Sequence, residues 1–305
     1  MPARHVAAAV LTAVIWGLNF IAIRASLDVF PPLFLAALRF AVLAVPVAVL
    51  VPRPAVPARW VVAYGLGFGT LQYVGLYLGM EGGVPAGLAS LVLQASAPFS
   101  VVLGALLLRE AVTPTKAAGV IVAVLGLGLV GWSRAASGEW APYLLVVLGG
   151  VGWALGNLAS RQARAPQPLH FTLWMTVVPP LPLLAMSLLT EGPREIGDAL
   201  AAARTADAVP AWLGLAFTIV LGTVVGAAIW NRLMAQHPVS TVAPFSMLVP
   251  VTGLLAGWAI LDEAPALLEL AGGALVIAGV LAASRSTAAV PRPGPAPAPV
   301  AAGSR

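Results

Sequence analysis

Residues 84–128 recur, without a gap, 153 positions later as residues 237–281. Pro85 falls on Pro238, Gly104 on Gly257, Leu108 on Leu261, Glu110 on Glu263, Ala111 on Ala264, Gly119 on Gly272 and Gly126 on Gly279. Both copies are almost wholly apolar apart from one short charged turn. The chain therefore uses one hydrophobic building block twice, and its fold must satisfy both copies. With 60% hydrophobic and only 9% charged residues, it falls far short of the roughly 25% charge of a soluble domain. Such a chain cannot cover itself with polar surface, so lipid must be its solvent.

A membrane crossing takes about 20 helical residues. Ten apolar runs qualify, near 6–23, 33–51, 60–79, 84–108, 117–131, 141–160, 169–190, 210–231, 238–261 and 267–284. The first is too long for the apolar stretch of a secretory signal and is read as an uncleaved span. The Pro- and Ala-rich tail, 285–305, is expected to be disordered and cytoplasmic. An even number of spans puts both termini on one side. If that side is the cytoplasm, it holds Arg4, Arg53, Arg59, Arg109, Lys116, Arg161, Arg164, Arg232, Arg285, Arg292 and Arg305. The outer side holds Arg24, Arg134, Arg194 and Arg204. Eleven against four places both termini inside. The basic residues sit at span ends rather than in a patch interleaved with aromatics, so nucleic acid is not an expected partner.

The organisation predicted is two repeats, 1–134 and 135–284, of five spans each. Five is odd, so the second copy must enter the membrane from the opposite face. The segments 15–24 (IWGLNFIAIR) and 152–161 (GWALGNLASR) match, yet Arg24 ends outside and Arg161 inside. The third and eighth spans match through Gly69–Thr70 and Gly222–Thr223. The fold class read from these features is an all-α membrane protein, ten helices in two inverted five-helix repeats around a central cavity. Inverted repeats of this kind are the pattern of secondary carriers.

Polar groups mark which spans would line a path. Trp16 and Asn19, with Thr12, share one helical face, and Trp153 and Asn157, with Ser160, use the same spacing. Tyr77, Gln94, Trp230 and Ser246 add polar or amphipathic groups on spans three, four, eight and nine. An amide in hydrocarbon is costly unless it has a partner or meets a wet cavity. These residues form the candidate substrate-binding set; the competing reading is hydrogen bonding that only holds the bundle together. Pro98 and Pro250 fall near mid-membrane, as hinges, as static kinks, or as sources of freed carbonyls that a substrate could use. Arg39 is the one charge well inside a span, about 10 Å deep. It could bind a substrate carboxylate, pair with Glu81, or snorkel to the outer surface. Spans five and ten carry stripes of small residues (Gly119, Ala123, Gly126; Gly272, Gly279) and are expected at the periphery.

The segments VIWGLNFIAIR, PPLFLAALRF, GVPAGLASLVLQASAPFSVVLGALLLRE and APFSMLVPVTGLLAGWAILDE resemble the EamA family of the drug/metabolite transporter superfamily. The resemblance covers nearly all of 6–284. Its most specific stretches, WGLNF and PAGLASLVLQ, are similar to bacterial amino-acid exporters of the O-acetylserine/cysteine branch and to the aromatic amino-acid exporter. It implies a ten-helix inner-membrane carrier with spans five and ten outside the ring. Arg109-Glu110 and Asp262-Glu263 depart from the usual Gly-Glu turn but keep its carboxylate.

The expected function is export of neutral amino acids or related metabolites by alternating access. The alternative is multidrug or other small-metabolite efflux by the same kind of carrier. An enzyme is not expected: there is no Cys, no HExxH and no cluster of metal-ligating side chains. A non-catalytic scaffold would not need polar-faced inverted repeats. No cofactor and no metal are expected. The expected partners are a small-molecule substrate and membrane lipid, with the single chain as working unit. His5, His170 and His237 lie near span ends and no acid falls at mid-membrane, which favours facilitated efflux or exchange over proton antiport.

Overall fold

The computed structural model describes residues 1–136 and 138–285. Among them ten helices are long and apolar enough to cross a membrane. They are α1 (Ala3–Leu27), α2 (Pro32–Leu50), α3 (Ala58–Glu81), α4 (Ala86–Leu108), α5 (Pro114–Ala136), α6 (Trp140–Ala163), α7 (Pro168–Thr190), α8 (Ala206–Gln236), α9 (Ala243–Leu261) and α10 (Leu267–Ser284). The chain is a multi-pass, all-helical membrane protein. Helices prevail because hydrocarbon offers backbone groups no other partner. A short amphipathic helix, Gly192–Ala202, joins α7 to α8. The tail expected to be disordered lies outside the described residues, except Arg285 at the end of the last helix.

α1 begins and α10 ends on one face of the bundle, here called the terminal face; the opposite end is the far face. Extensive contacts cross from one repeat to the other. α1 packs on α8 and α9 of the second repeat, while α6 packs on α3 and α4 of the first. α2 meets α7, and α5 meets α10. The two copies are thus braced through each other rather than standing side by side.

The small-residue stripes of α5 and α10 face one another. A Cβ added at Gly126 would lie 2.6 Å from the Gly272 carbonyl oxygen, and one at Gly279 would lie 2.4 Å from the Ala123 nitrogen. Only glycine lets the two backbones approach so closely. Ile121, Val124 and Leu125 on the other side of α5 are exposed, which puts the pair at the edge of the bundle. At its far-face end Arg134 bonds Glu139 and, at 2.7 Å, the buried carboxylate of Glu269.

α4 and α9 end alike. Arg109 (φ 54°) and Asp262 (φ 56°) both take the left-handed conformation, and they are repeat mates. The next residues, Glu110 and Glu263, donate their N–H groups to Gly104 and Gly257 at 3.2 and 3.1 Å. This is a helix stop normally made by glycine. The departure from a Gly-Glu turn noted in the sequence therefore carries a strain cost. Asp262→Gly is expected to stabilise the protein by about 0.5–1 kcal/mol, read as a rise in melting temperature in detergent.

Candidate functional site

The third and eighth spans, read from sequence as ordinary helix, are not regular. Gly65–Leu71 of α3 and Thr218–Val225 of α8 are π-helical. Gly65 and Thr218 are 153 residues apart, so the irregularity is itself duplicated. One threonine in each copy hydrogen-bonds in the wide register: Thr70 Oγ1 donates to Gly65 O at 3.3 Å, and Thr223 Oγ1 to Thr218 O at 2.9 Å. Both reach five residues back. π turns sacrifice regular packing and concentrate at functional sites. The signal available in the sequence was the repeated Gly-Thr pair.

The α8 π turn collects several of the expected site residues. Trp16 donates its indole N–H to the Gly222 carbonyl at 2.9 Å. Its ring lies 5.2 Å from that of Trp230, tilted by 52°. Asn19 Oδ1 presses on Gly222 so closely that an added Cβ would be 2.4 Å away. That oxygen is buried without a hydrogen-bond partner. The neighbouring residue, Thr223, accepts from Arg39 Nη2 at 2.8 Å, and Tyr77 accepts from Arg39 Nη1 at 3.2 Å. The Arg39 guanidinium also sits 4.6 Å from the centre of the Tyr73 ring. Arg39 is 3% exposed, so it does not snorkel, and no ion pair joins it to Glu81 among the described residues. Two tyrosines and a threonine replace both structural readings offered by the sequence.

The other π turn meets α6. Trp153 packs edge-on against Phe68 with centroids 5.7 Å apart. Gly67 nestles against α6, where an added Cβ would be 2.8 Å from the Gly156 nitrogen. Asn157 points instead to α4 and donates to Ser100 Oγ at 3.3 Å. Trp16, Asn19, Trp230, Arg39 and Tyr77 therefore gather on α8, while Trp153 and Asn157 gather on α3 and α4.

Gln94 and Ser246 lie on the irregular turns of α4 and α9. Gln94 is buried at the centre of a 3₁₀ turn, Leu93–Ala95. Ser246 belongs to a matching 3₁₀ turn, Ala243–Met247, and donates to Ala243 O at 2.7 Å. Pro98 and Pro250 each sit in the first turn of the α-helix that follows, where a missing N–H is cheapest. The breaks thus fall just before the prolines rather than at them. The double proline Pro179–Pro180 also breaks α7, which the hydropathy pattern concealed.

The two faces of the bundle differ. At the far face the Glu263 carboxylate accepts from the N–H groups of Ala86 and Gly87, at 3.0 and 3.1 Å, capping the start of α4. Glu191 accepts likewise from Leu33 and Phe34, at 2.6 and 3.0 Å, capping α2. Four N–H groups left over by helix geometry are thus matched to two carboxylates. At the terminal face Glu110, repeat mate of Glu263, has a side chain 44% exposed and pairs with Arg161 at 3.1 Å. A hollow of about 90 Å³ opens beside them, lined by Ser100, Lys116 and both partners of that ion pair. A larger apolar hollow of about 430 Å³, lined by Trp60, Leu66, Leu107 and Leu155 among others, lies between α3, α4 and α6. His5 Nδ1 and His237 Nε2, 2.6 Å apart, tie α1 to the approach of α9.

The profile of the EamA-like transporter family matches residues 4–132 and 140–285. A probable amino-acid metabolite efflux pump of Salmonella typhimurium is 36% identical over 282 residues, 89% of this chain and 92% of the relative. One from Escherichia coli is 34% identical, with the same coverage. A probable terminal-alkyne amino-acid exporter of Streptantibioticus cattleyicolor is 31% identical over 92% of this chain and 93% of its own. A solved crystal structure, 18% identical, superposes with a TM-score of 0.61 over 95% of this chain and 100% of the other, which speaks for the fold alone.

Proposed function

Since the chain belongs to the EamA-like transporter family, we propose that it exports neutral amino acids or close metabolites across a bacterial inner membrane by alternating access. Both termini lie in the cytoplasm in this reading, which the positive-inside count supports. The terminal face is then the cytoplasmic face. The observation that carries the proposal is the contrast between repeat mates. Glu263 seals α9 to the start of α4 on the far side, whereas Glu110 is exposed and engaged with Arg161 on the cytoplasmic side. One duplicated device thus takes different partners on the two faces, the asymmetry that alternating access by an inverted-repeat carrier calls for.

Residues 1–134 and 135–284 are the two repeats whose relative movement alternates access, with α1 moving with α8 and α9, and α6 with α3 and α4, on which they pack. Asn19, Gln94 and Asn157 hydrogen-bond the substrate's polar groups, and Trp16, Tyr77, Trp153, Trp230 and Ser246 complete the wall. The 3₁₀ turns before Pro98 and Pro250 absorb the change of angle. The names of the relatives favour amino-acid-derived cargo. Gln94→Ala is expected to lower export of a labelled amino-acid panel from proteoliposomes about tenfold, the loss of one desolvated hydrogen bond. Its abundance in the membrane should not change. Undiminished export would remove Gln94 from the path.

A further inference from the structure

Arg39 is the most heavily buried arginine among the described residues and has no anion beside it. At 3% exposure its charge is cut off from water. Its Nη1 and Nη2 atoms donate to the neutral hydroxyls of Tyr77 and Thr223, neutral Tyr73 lies against the guanidinium, and its Nε is buried with no partner. No described carboxylate lies within ion-pair distance of it. Neutral hydroxyls and an aromatic face return less than a guanidinium loses on leaving water, so the site is short of one negative charge. A guanidinium is suited to a carboxylate, which it can grip through two parallel N–H groups.

A second orphan lies one residue along the same π turn. Thr223 holds Arg39, and Gly222 receives Asn19 Oδ1, a buried acceptor with no donor. One irregular turn of α8 thus gathers a cationic donor from α2 with no anion beside it and a neutral acceptor from α1 with no donor. Trp16 and Trp230 close one side of it. Carboxylate and ammonium on a single small molecule are the complement of this pair.

We propose that Arg39 receives the substrate's carboxylate and Asn19 Oδ1 its ammonium, so that the cargo is a zwitterionic α-amino acid with both groups free. The assignment deepens the reading above and rests on it. In the present conformation α8 closes over Arg39. The carboxylate replaces the Thr223 and Tyr77 hydroxyls as α8 parts from α2 and α3, which makes anion recognition part of the conformational step.

The test is competition in proteoliposomes. Efflux of labelled L-serine, L-leucine and L-phenylalanine is measured against the unlabelled acids, their amides, which lack the carboxylate, and their N-acetyl derivatives, which lack the ammonium. For the wild-type chain, amides and N-acetyl derivatives should each compete at least tenfold less well than the acids. Arg39→Gln should erase the acid-over-amide preference and Asn19→Ala the preference against N-acetylation, each leaving the other intact. Arg39→Lys, which keeps the charge but not the fork, should retain a reduced acid preference. It serves as the readout if the glutamine variant is not recovered folded. Amides that compete as well as acids, or an Arg39→Gln or Arg39→Lys protein with unaltered acid preference, would overturn the assignment while leaving amino-acid export standing. Failure of the wild-type protein to move any probe would overturn the export reading itself, and the assignment with it.

Discussion

Gly222→Ala is expected to reduce transport about tenfold or more, the effect of overpacking a closed site by 1–3 kcal/mol. The added methyl would lie 2.4 Å from Asn19 Oδ1. That oxygen belongs to an amide on α1, a helix wedged against α8 and α9, and it has little room to retreat. The Trp16 indole is also bound to the Gly222 carbonyl, so any shift of the turn disturbs the aromatic wall. A companion variant separates site damage from general misfolding. Asn19→Ala removes the group the methyl would strike, so the double variant should fold and reach the membrane as well as the single Asn19→Ala. If Gly222→Ala transports normally, the α8 π turn is not part of the substrate path.

Glu263→Ala should shift the carrier away from the far-side-closed state. The carboxylate caps two N–H groups at the start of α4. Losing such a cap costs about 1–2 kcal/mol, a shift of roughly five- to thirty-fold between two accessible states. The chain has no cysteine, so a single introduced thiol reports alone. Ser90 is buried on α4 against Gly253 of α9, beneath this cap. With Ser90→Cys as reporter, a membrane-impermeant maleimide applied from the far side should react slowly in the parent and several-fold faster with Glu263→Ala. The matching change at Glu110 removes only an exposed ion pair and should alter labelling by no more than about twofold. Equal labelling in all three would show that Glu263 does not govern closure.

Much of the architecture was legible because membrane folding makes few demands of a sequence. Hydrocarbon requires long apolar helices, so each of the ten runs became one of the ten spans, with shifted ends and with internal breaks that hydropathy does not register. The stripes on α5 and α10 could be read as close contacts, since small side chains in lipid have no other obvious use. Their pairing with each other could not, because a stripe does not name its partner. The site was partly legible for the same reason. Trp16 and Asn19 stood out as polar groups sharing one helical face, and the structure brings both to Gly222. Hydropathy and period cannot register a π turn, because one extra residue in a helical turn leaves the local composition unchanged.

By itself the sequence determined the number of crossings, the duplication, the opposed entry of the two copies and the presence of one charge in the membrane. These follow from solvent and chain order alone. Tertiary structure decided the rest: that α1 and α6 exchange between the halves, that Arg39 meets hydroxyls in place of a carboxylate, and that Glu263 caps a helix while Glu110 holds an arginine. Glu110 and Glu263 are the same residue at the ends of matching helices, so residue type and helix position do not name their partners. Only the packing of distant helices gives each its own partner, and in a carrier that packing is what changes.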